Sequence, residues 1–191
     1  MPLSPPAARE TLHRRRIDMH GYARADGLYD IEAWLEDTKA YDIDNQDRAG
    51  IAAAEALHGM WLRLTVSEDM TVQACEAAMD FTPYTICPGA TPNFAALAGV
   101  VIGPGFNRAV KERVGGSQGC THLRELLAQM ATVAYQTVAP MRWRKAREAR
   151  ETAIARGESP PTARRAIPLN TCHAYAEGSE VVRRLRQEAE E

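Results

Sequence analysis

Gly119-Cys120-Thr121-His122 places a thiol and an imidazole two residues apart, where a long apolar-periodic segment begins. A cysteine in the first turn of a helix faces backbone N–H groups that have no intrahelical acceptor, and the positive end of the helix dipole. Both favour the thiolate, the form that attacks carbon or binds a metal. Gly119 has no Cβ and lets the chain approach something closely. His122 is too near in sequence to share a helical face with Cys120, but a first turn that is not yet regular can bring both to one pocket. The plain alternative is a small residue packing a helix start, with His122 capping or exposed.

Other donors are scattered along the chain. Cys87, in Tyr84-Thr85-Ile86-Cys87-Pro88, sits between a predicted strand and a predicted helix, in a loop that can present a side chain. His58 precedes the third predicted strand, and Cys172-His173 is a second thiol–imidazole pair flanked by Asn170 and Thr171. Cys75 lies inside a strand and reads as a core thiol. None of the four cysteines forms Cys-x-x-Cys, so neither a zinc ribbon nor a thioredoxin-type site is supported. The candidate metal set is His58, Cys87, Cys120, His122, Cys172 and His173, with zinc or iron as the ion. In that reading Cys87, Cys120 and His58 are ligands, and His122 or Cys172 completes the shell. The second reading is an enzyme with Cys120 as nucleophile and His122 or His173 as base, acting on a small carbonyl or thioester substrate. The third has no chemistry and docks an acidic protein partner on the Arg-rich tail. Asp26, Asp30, Glu32 and Asp37 form an acidic hairpin. It reads first as a solvated strand face, and second as paired carboxylates for acid/base work or a hard cation.

The elements that must position these groups change period halfway along. Arg14 to Ala23 and Leu28 to Thr38 alternate apolar and polar around Asp26-Gly27, which predicts a hairpin. Tyr29, Ile31, Ala33 and Leu35 share one face of its second strand. Met60 to Val66 and Thr71 to Ala77 predict a third and a fourth strand, and the Ala-rich segment before them carries no clear pattern. Thr91-Pro92 can open a helix. Phe106, Val110 and Val114 share a helical face that Gly115-Gly116 ends. The clearest helix is predicted over Thr121 to about Val138, with Leu123, Leu126, Leu127, Met130, Ala134 and Val138 as its stripe and Pro140 after its end. Sheet first and helices after is an α+β architecture with an antiparallel sheet of about four strands. The chain divides into a loose arm over 1–13, a core over 14–140 and an Arg-rich helical extension over 141–191. Arg/Glu alternation in the extension reads first as a solvated face held by i,i+4 pairs.

Composition bounds the partners. A net charge of −2 and a pI near 6.2 give no electrostatic basis for nucleic-acid binding. The longest apolar run, Ala95 to Ile102, is far below the roughly 20 residues a bilayer span needs. The Met-Pro-Leu-Ser-Pro-Pro start has no secretory pattern, and the cysteines are sparse, so the expected compartment is the cytoplasm.

Arg24-x-Asp26-Gly27, Asp37-Thr38-Lys39, His58-x-Met60 and Gly119-Cys-Thr-His-Leu-Arg-Glu-Leu126 resemble an uncharacterised bacterial family carrying a domain-of-unknown-function label, over roughly 14–140. The resemblance implies a family and no activity. The family pattern has an acidic residue after His58, where this chain has Gly59. More distantly, the order of elements resembles iron–sulfur scaffold proteins of the IscU/NifU type. That likeness implies ligands at His58, Cys87 and Cys120, with Met60 where the scaffold has its aspartate.

Overall fold

A computed structural model describes residues 3–159 and 167–188. Four strands form one antiparallel sheet in the order β1-β2-β3-β4: β1 His13–Ala23, β2 Tyr29–Lys39, β3 Ala56–Val66 and β4 Val72–Phe81. Gly27 turns the first hairpin at φ 84°, a left-handed conformation that glycine takes without steric cost. Tyr29, Ile31, Ala33 and Leu35 are at most 3% exposed, and they pair in register with Met60, Leu62, Leu64 and Val66 of β3. A period of two puts all of these on one face, and that face is the floor of the core.

The roof comes from the helices. α1 spans Phe106–Val114 and buries Phe106, Val110 and Val114, as their spacing predicts. α2 spans Thr121–Ala155, and its stripe Leu123, Leu126, Leu127, Met130, Ala134 and Val138 is fully buried. Gly21 of β1 shows how close the helix runs, because a Cβ there would lie 1.9 Å from Thr137 Oγ1. The opposite sheet face is polar. There Arg63 pairs with Glu32 at 2.7 Å and Glu76 at 3.2 Å, Arg16 pairs with Glu36, and Arg16 also lies over Trp34.

Several boundaries differ from the sequence reading. β3 extends back through Ala56 and so contains His58, because the Ala-rich segment pairs with the end of β2. β4 runs four residues further, to Phe81. Thr91-Pro92 opens no α-helix; both residues lie inside a 3-10 segment, Cys87–Leu97, that places Cys87 at its start. Pro140 sits within α2 rather than beyond it. Its missing N–H removes one intrahelical bond, which the flanking turns tolerate in this 35-residue helix. No helix among the described residues is long and apolar enough to cross a membrane.

The chain divides into two compact units, Met1–Val138 and Ala139–Glu191. In the second, exposed i,i+4 pairs join Arg144 to Glu148 and Arg147 to Glu151. It also holds a short 3-10 turn, His173–Tyr175, and α3, Glu180–Glu188. The Pro160-Pro161 break and residues 189–191 of the predicted terminal helix lie outside the described residues.

Candidate metal centre

The site is built at one end of the sheet's buried face. Pairing in register places Arg15 opposite Asp37 across β1–β2, and Asp37 opposite His58 across β2–β3. All three therefore continue the apolar face at the point where it turns polar. A register shift follows at once: Thr38 pairs with Ala56, which leaves Leu57 as an extra residue. Such bulges re-aim side chains beside functional sites. From above, the first turn of α2 lowers His122 onto His58, with ring centroids 3.9 Å apart.

Asp37 is the hub, only 1% exposed. Arg15 donates to it from Nε and Nη2, both at 2.8 Å, a bidentate fork. His58 Nδ1 lies 3.0 Å from Oδ2, His13 Nε2 lies 3.3 Å from Oδ1, and His122 Nε2 lies 3.8 Å from Oδ2. Arg15 also reaches Glu125 of α2 at 3.2 Å, which ties the helix to the sheet beside the site. Asp37, His58 and His122 each offer a donor atom, and these atoms all lie within 4.8 Å of one another.

Charge states follow from burial and neighbours. Burial pushes the Asp37 carboxyl up, but the Arg15 hydrogen bonds and charge, with His58 and His13, outweigh it and hold its pKa below the usual range. Burial lowers the pKa of His58, and the neighbouring His122 lowers it further against the pull of Asp37. Burial and then the Arg15 charge lower that of His122. A carboxylate thus faces two neutral imidazoles at neutral pH.

These shifts set a pH dependence. An unfolded histidine takes up a proton near pH 6.5, whereas folded His58 and His122 resist it. Below that pH the unfolded chain binds more protons, so unfolding free energy falls as pH falls. Asp37 has a depressed folded pKa, so its contribution is present above about pH 4 and is lost only at more acid pH. Urea midpoints of metal-free protein are expected to drop steadily between pH 7 and 5; a flat or rising profile contradicts these charge states.

The candidates from the sequence are divided. His58 and His122 are in the cluster. Cys120 is adjacent, but on the other edge of the His122 ring, its Sγ 3.8 Å from Nδ1 while Nε2 faces Asp37. The converging donor set is therefore Asp/His/His and not the expected Cys/His, because one imidazole cannot turn the same nitrogen to both partners. Cys87 is half-buried, and its pKa is raised by burial and then by the nearby Cys120 and Asp47, against a hydrogen bond from the Tyr84 backbone that favours the thiolate. Cys172 and His173 belong to the second unit and are exposed there. Cys75 is buried, and its thiol is pushed up to about 12. Of the hairpin carboxylates only Asp37 joins the cluster; the other three face away from the core in ordinary surface pairs, Asp26 and Asp30 with Arg24, and Glu32 with Arg63. Asp37, Arg15 and His13 are the members that sequence reasoning did not assign to the site.

No curated protein and no solved structure matches this chain. A family model does, over residues 13–136, a span that begins at His13 and includes Arg15, Asp37, His58, Cys120, His122 and Glu125. The chain belongs to that family, described as a protein of unknown function (DUF2889).

Proposed function

We propose that this protein binds a divalent first-row metal ion, zinc or iron, through Asp37, His58 and His122. The observation that carries the reading is the convergence of a buried carboxylate and two imidazoles already held in the charge states that ligation requires. Two imidazoles and one carboxylate form a borderline donor set suited to zinc or ferrous iron. Asp37, His58 and His122 would hold the ion, and Arg15 would keep its two hydrogen bonds to the carboxylate. The Arg15 charge works against a cation, and Glu125 offsets part of it. Three protein ligands leave a coordination position for water, a substrate or a receiving protein. Accessory binding of a single ion suits this set better than an iron–sulfur cluster, which takes cysteine thiolates. The IscU/NifU likeness accordingly bears on the order of elements alone.

Purified protein is expected to carry close to one zinc or iron by elemental analysis. His58→Ala and His122→Ala should each lower affinity by about a hundredfold or more. Cys87→Ala should retain the metal, which separates this site from a cysteine-led one. A wild-type protein that takes up neither ion in calorimetric titration would refute the assignment.

A further inference from the structure

Cys120 and Asp37 lie against opposite nitrogens of the same imidazole. Sγ is 3.8 Å from His122 Nδ1, and Asp37 Oδ2 is 3.8 Å from His122 Nε2. We propose that in the metal-free protein Cys120 is the nucleophile of an acyl-transfer site, with His122 as its base and Asp37 orienting the imidazole, and that metal binding shuts this site off. The acylation stands on the arrangement of thiol, imidazole and carboxylate alone. Its control by metal rests on the metal-site reading.

Thiol, imidazole and carboxylate in that order form the arrangement that activates a cysteine nucleophile. Asp37 is held by the two Arg15 hydrogen bonds and is 1% exposed, so it is a fixed anchor. Both 3.8 Å separations are longer than a working hydrogen bond, as such contacts often are before substrate closes the site. Cys120 and His122 are half-buried, within reach of a small molecule yet shielded from bulk water.

A third feature serves the acyl oxygen. The Cys120 carbonyl accepts the N–H of Arg124 at 2.9 Å, so Cys120 stands at the N-cap of α2. The backbone N–H groups of Thr121, His122 and Leu123 occupy the first turn beside it, where a helix leaves donors without intrahelical partners. Such donors stabilise the oxyanion that forms when a thiolate adds to an acyl carbon.

The ligand class is an activated acyl group, an ester or thioester. In the first step the thiol proton passes to His122 Nδ1, sulfur forms a bond to the acyl carbon, and the carbon–oxygen or carbon–sulfur bond to the leaving group breaks. The leaving group departs with the proton from His122. In the second step water adds to the acyl–Cys120 thioester with His122 accepting its proton, the carbon–sulfur bond breaks, and the thiol is restored with release of the carboxylic acid. His122 acting as a metal ligand through the nitrogen that faces Asp37 would keep its remaining proton on Nδ1, and the ring could then not accept another from Cys120. Metal ligand and thiol base are therefore exclusive roles of one side chain.

The test uses chelator-treated full-length protein and p-nitrophenyl acetate, with acylation at each cysteine followed by mass spectrometry. Cys172, exposed in the same molecule, is the internal standard. Cys120 is expected to acylate about a hundredfold faster than Cys172, and His122→Gln should remove that advantage. One equivalent of zinc should suppress labelling at Cys120 and leave Cys172 unchanged. Equal rates at the two cysteines, or a Cys120 rate unaltered in His122→Gln, would overturn the nucleophile. Zinc that binds by calorimetry yet leaves Cys120 labelling untouched overturns its control by metal. An absence of zinc binding removes the metal site by itself, and the comparison of Cys120 with Cys172 still decides the nucleophile.

Discussion

Asp37→Asn is expected to lower the stability of the metal-free protein by about 3 kcal/mol and to abolish metal uptake. The substitution keeps size and shape and removes one charge. It leaves the Arg15 guanidinium facing an amide, half of which is a donor and cannot accept from Nε or Nη2. His58 Nδ1 and His13 Nε2 lose their charged neighbour at the same time. Breaking a buried pair by removing one partner costs about 3–5 kcal/mol. The lower end applies here because the Arg15 side chain is 32% exposed and water can recover part of its solvation. Asp26→Asn supplies the contrast, since its pair with Arg24 is exposed on both sides and its loss should leave the urea midpoint close to that of the unaltered protein. Urea unfolding of the two variants measures both. A loss at Asp37 no larger than at Asp26 would show that the contacts of Asp37 with Arg15, His58 and His13 contribute nothing beyond an exposed ion pair.

The central role of Asp37 is also where the sequence reading and the structure part. Period-two alternation identified Tyr29, Ile31, Ala33 and Leu35 as one face, and that face is the core floor. The same count, extended two residues, lands on Asp37. Residue type groups it with Asp30 and Glu32, but those two sit on the opposite face, paired to Thr65 and Arg63. A charged residue in register with a buried stripe is itself a signal, because burial of a carboxylate requires partners. The partners of Asp37 are set by tertiary pairing and not by local pattern. Arg15 and His13 become neighbours of Asp37 only through the register of a hairpin 22 residues across, which depends on where Gly27 turns the chain.

Legibility was greatest where local pattern and packing agree. The stripe of α2 and the face of α1 were readable because helical period and burial coincide there. Pro140 suggested a helix end, yet α2 continues through it, because a residue's local preference is weak against packing and the surrounding turns. His122 was placed beside Cys120 by sequence proximity, and that much is observed at 3.8 Å. What proximity could not give is which nitrogen faces which partner. That depends on His58 lying beneath the ring, a contact between β3 and α2 made across 64 residues by tertiary folding.

Gly119→Ala is expected to cost about 2–3 kcal/mol and to weaken metal binding at least tenfold. The backbone there is extended, at φ −139° and ψ −170°, which any residue can adopt, so the cost is steric. A Cβ at this position would stand 2.2 Å from the Val114 carbonyl oxygen and 3.1 Å from its carbonyl carbon. Val114 closes α1 and is 1% exposed, so the obstacle is packed backbone and cannot swing aside. The chain at 119 must move instead, and the next residues carry Cys120 and His122 with it. A metal site tolerates about 0.5 Å of displacement in its ligands, less than this clash demands. Gly103→Ala is the control, because a Cβ there meets nothing within 4 Å and its φ lies outside the left-handed range. It should alter stability by no more than about 0.5 kcal/mol. Calorimetric titration with zinc and urea unfolding on both variants test the link between the tight turn and the site. A Gly119→Ala protein that loses stability but binds zinc with unchanged affinity would show that the turn supports the helix start without setting the position of His122.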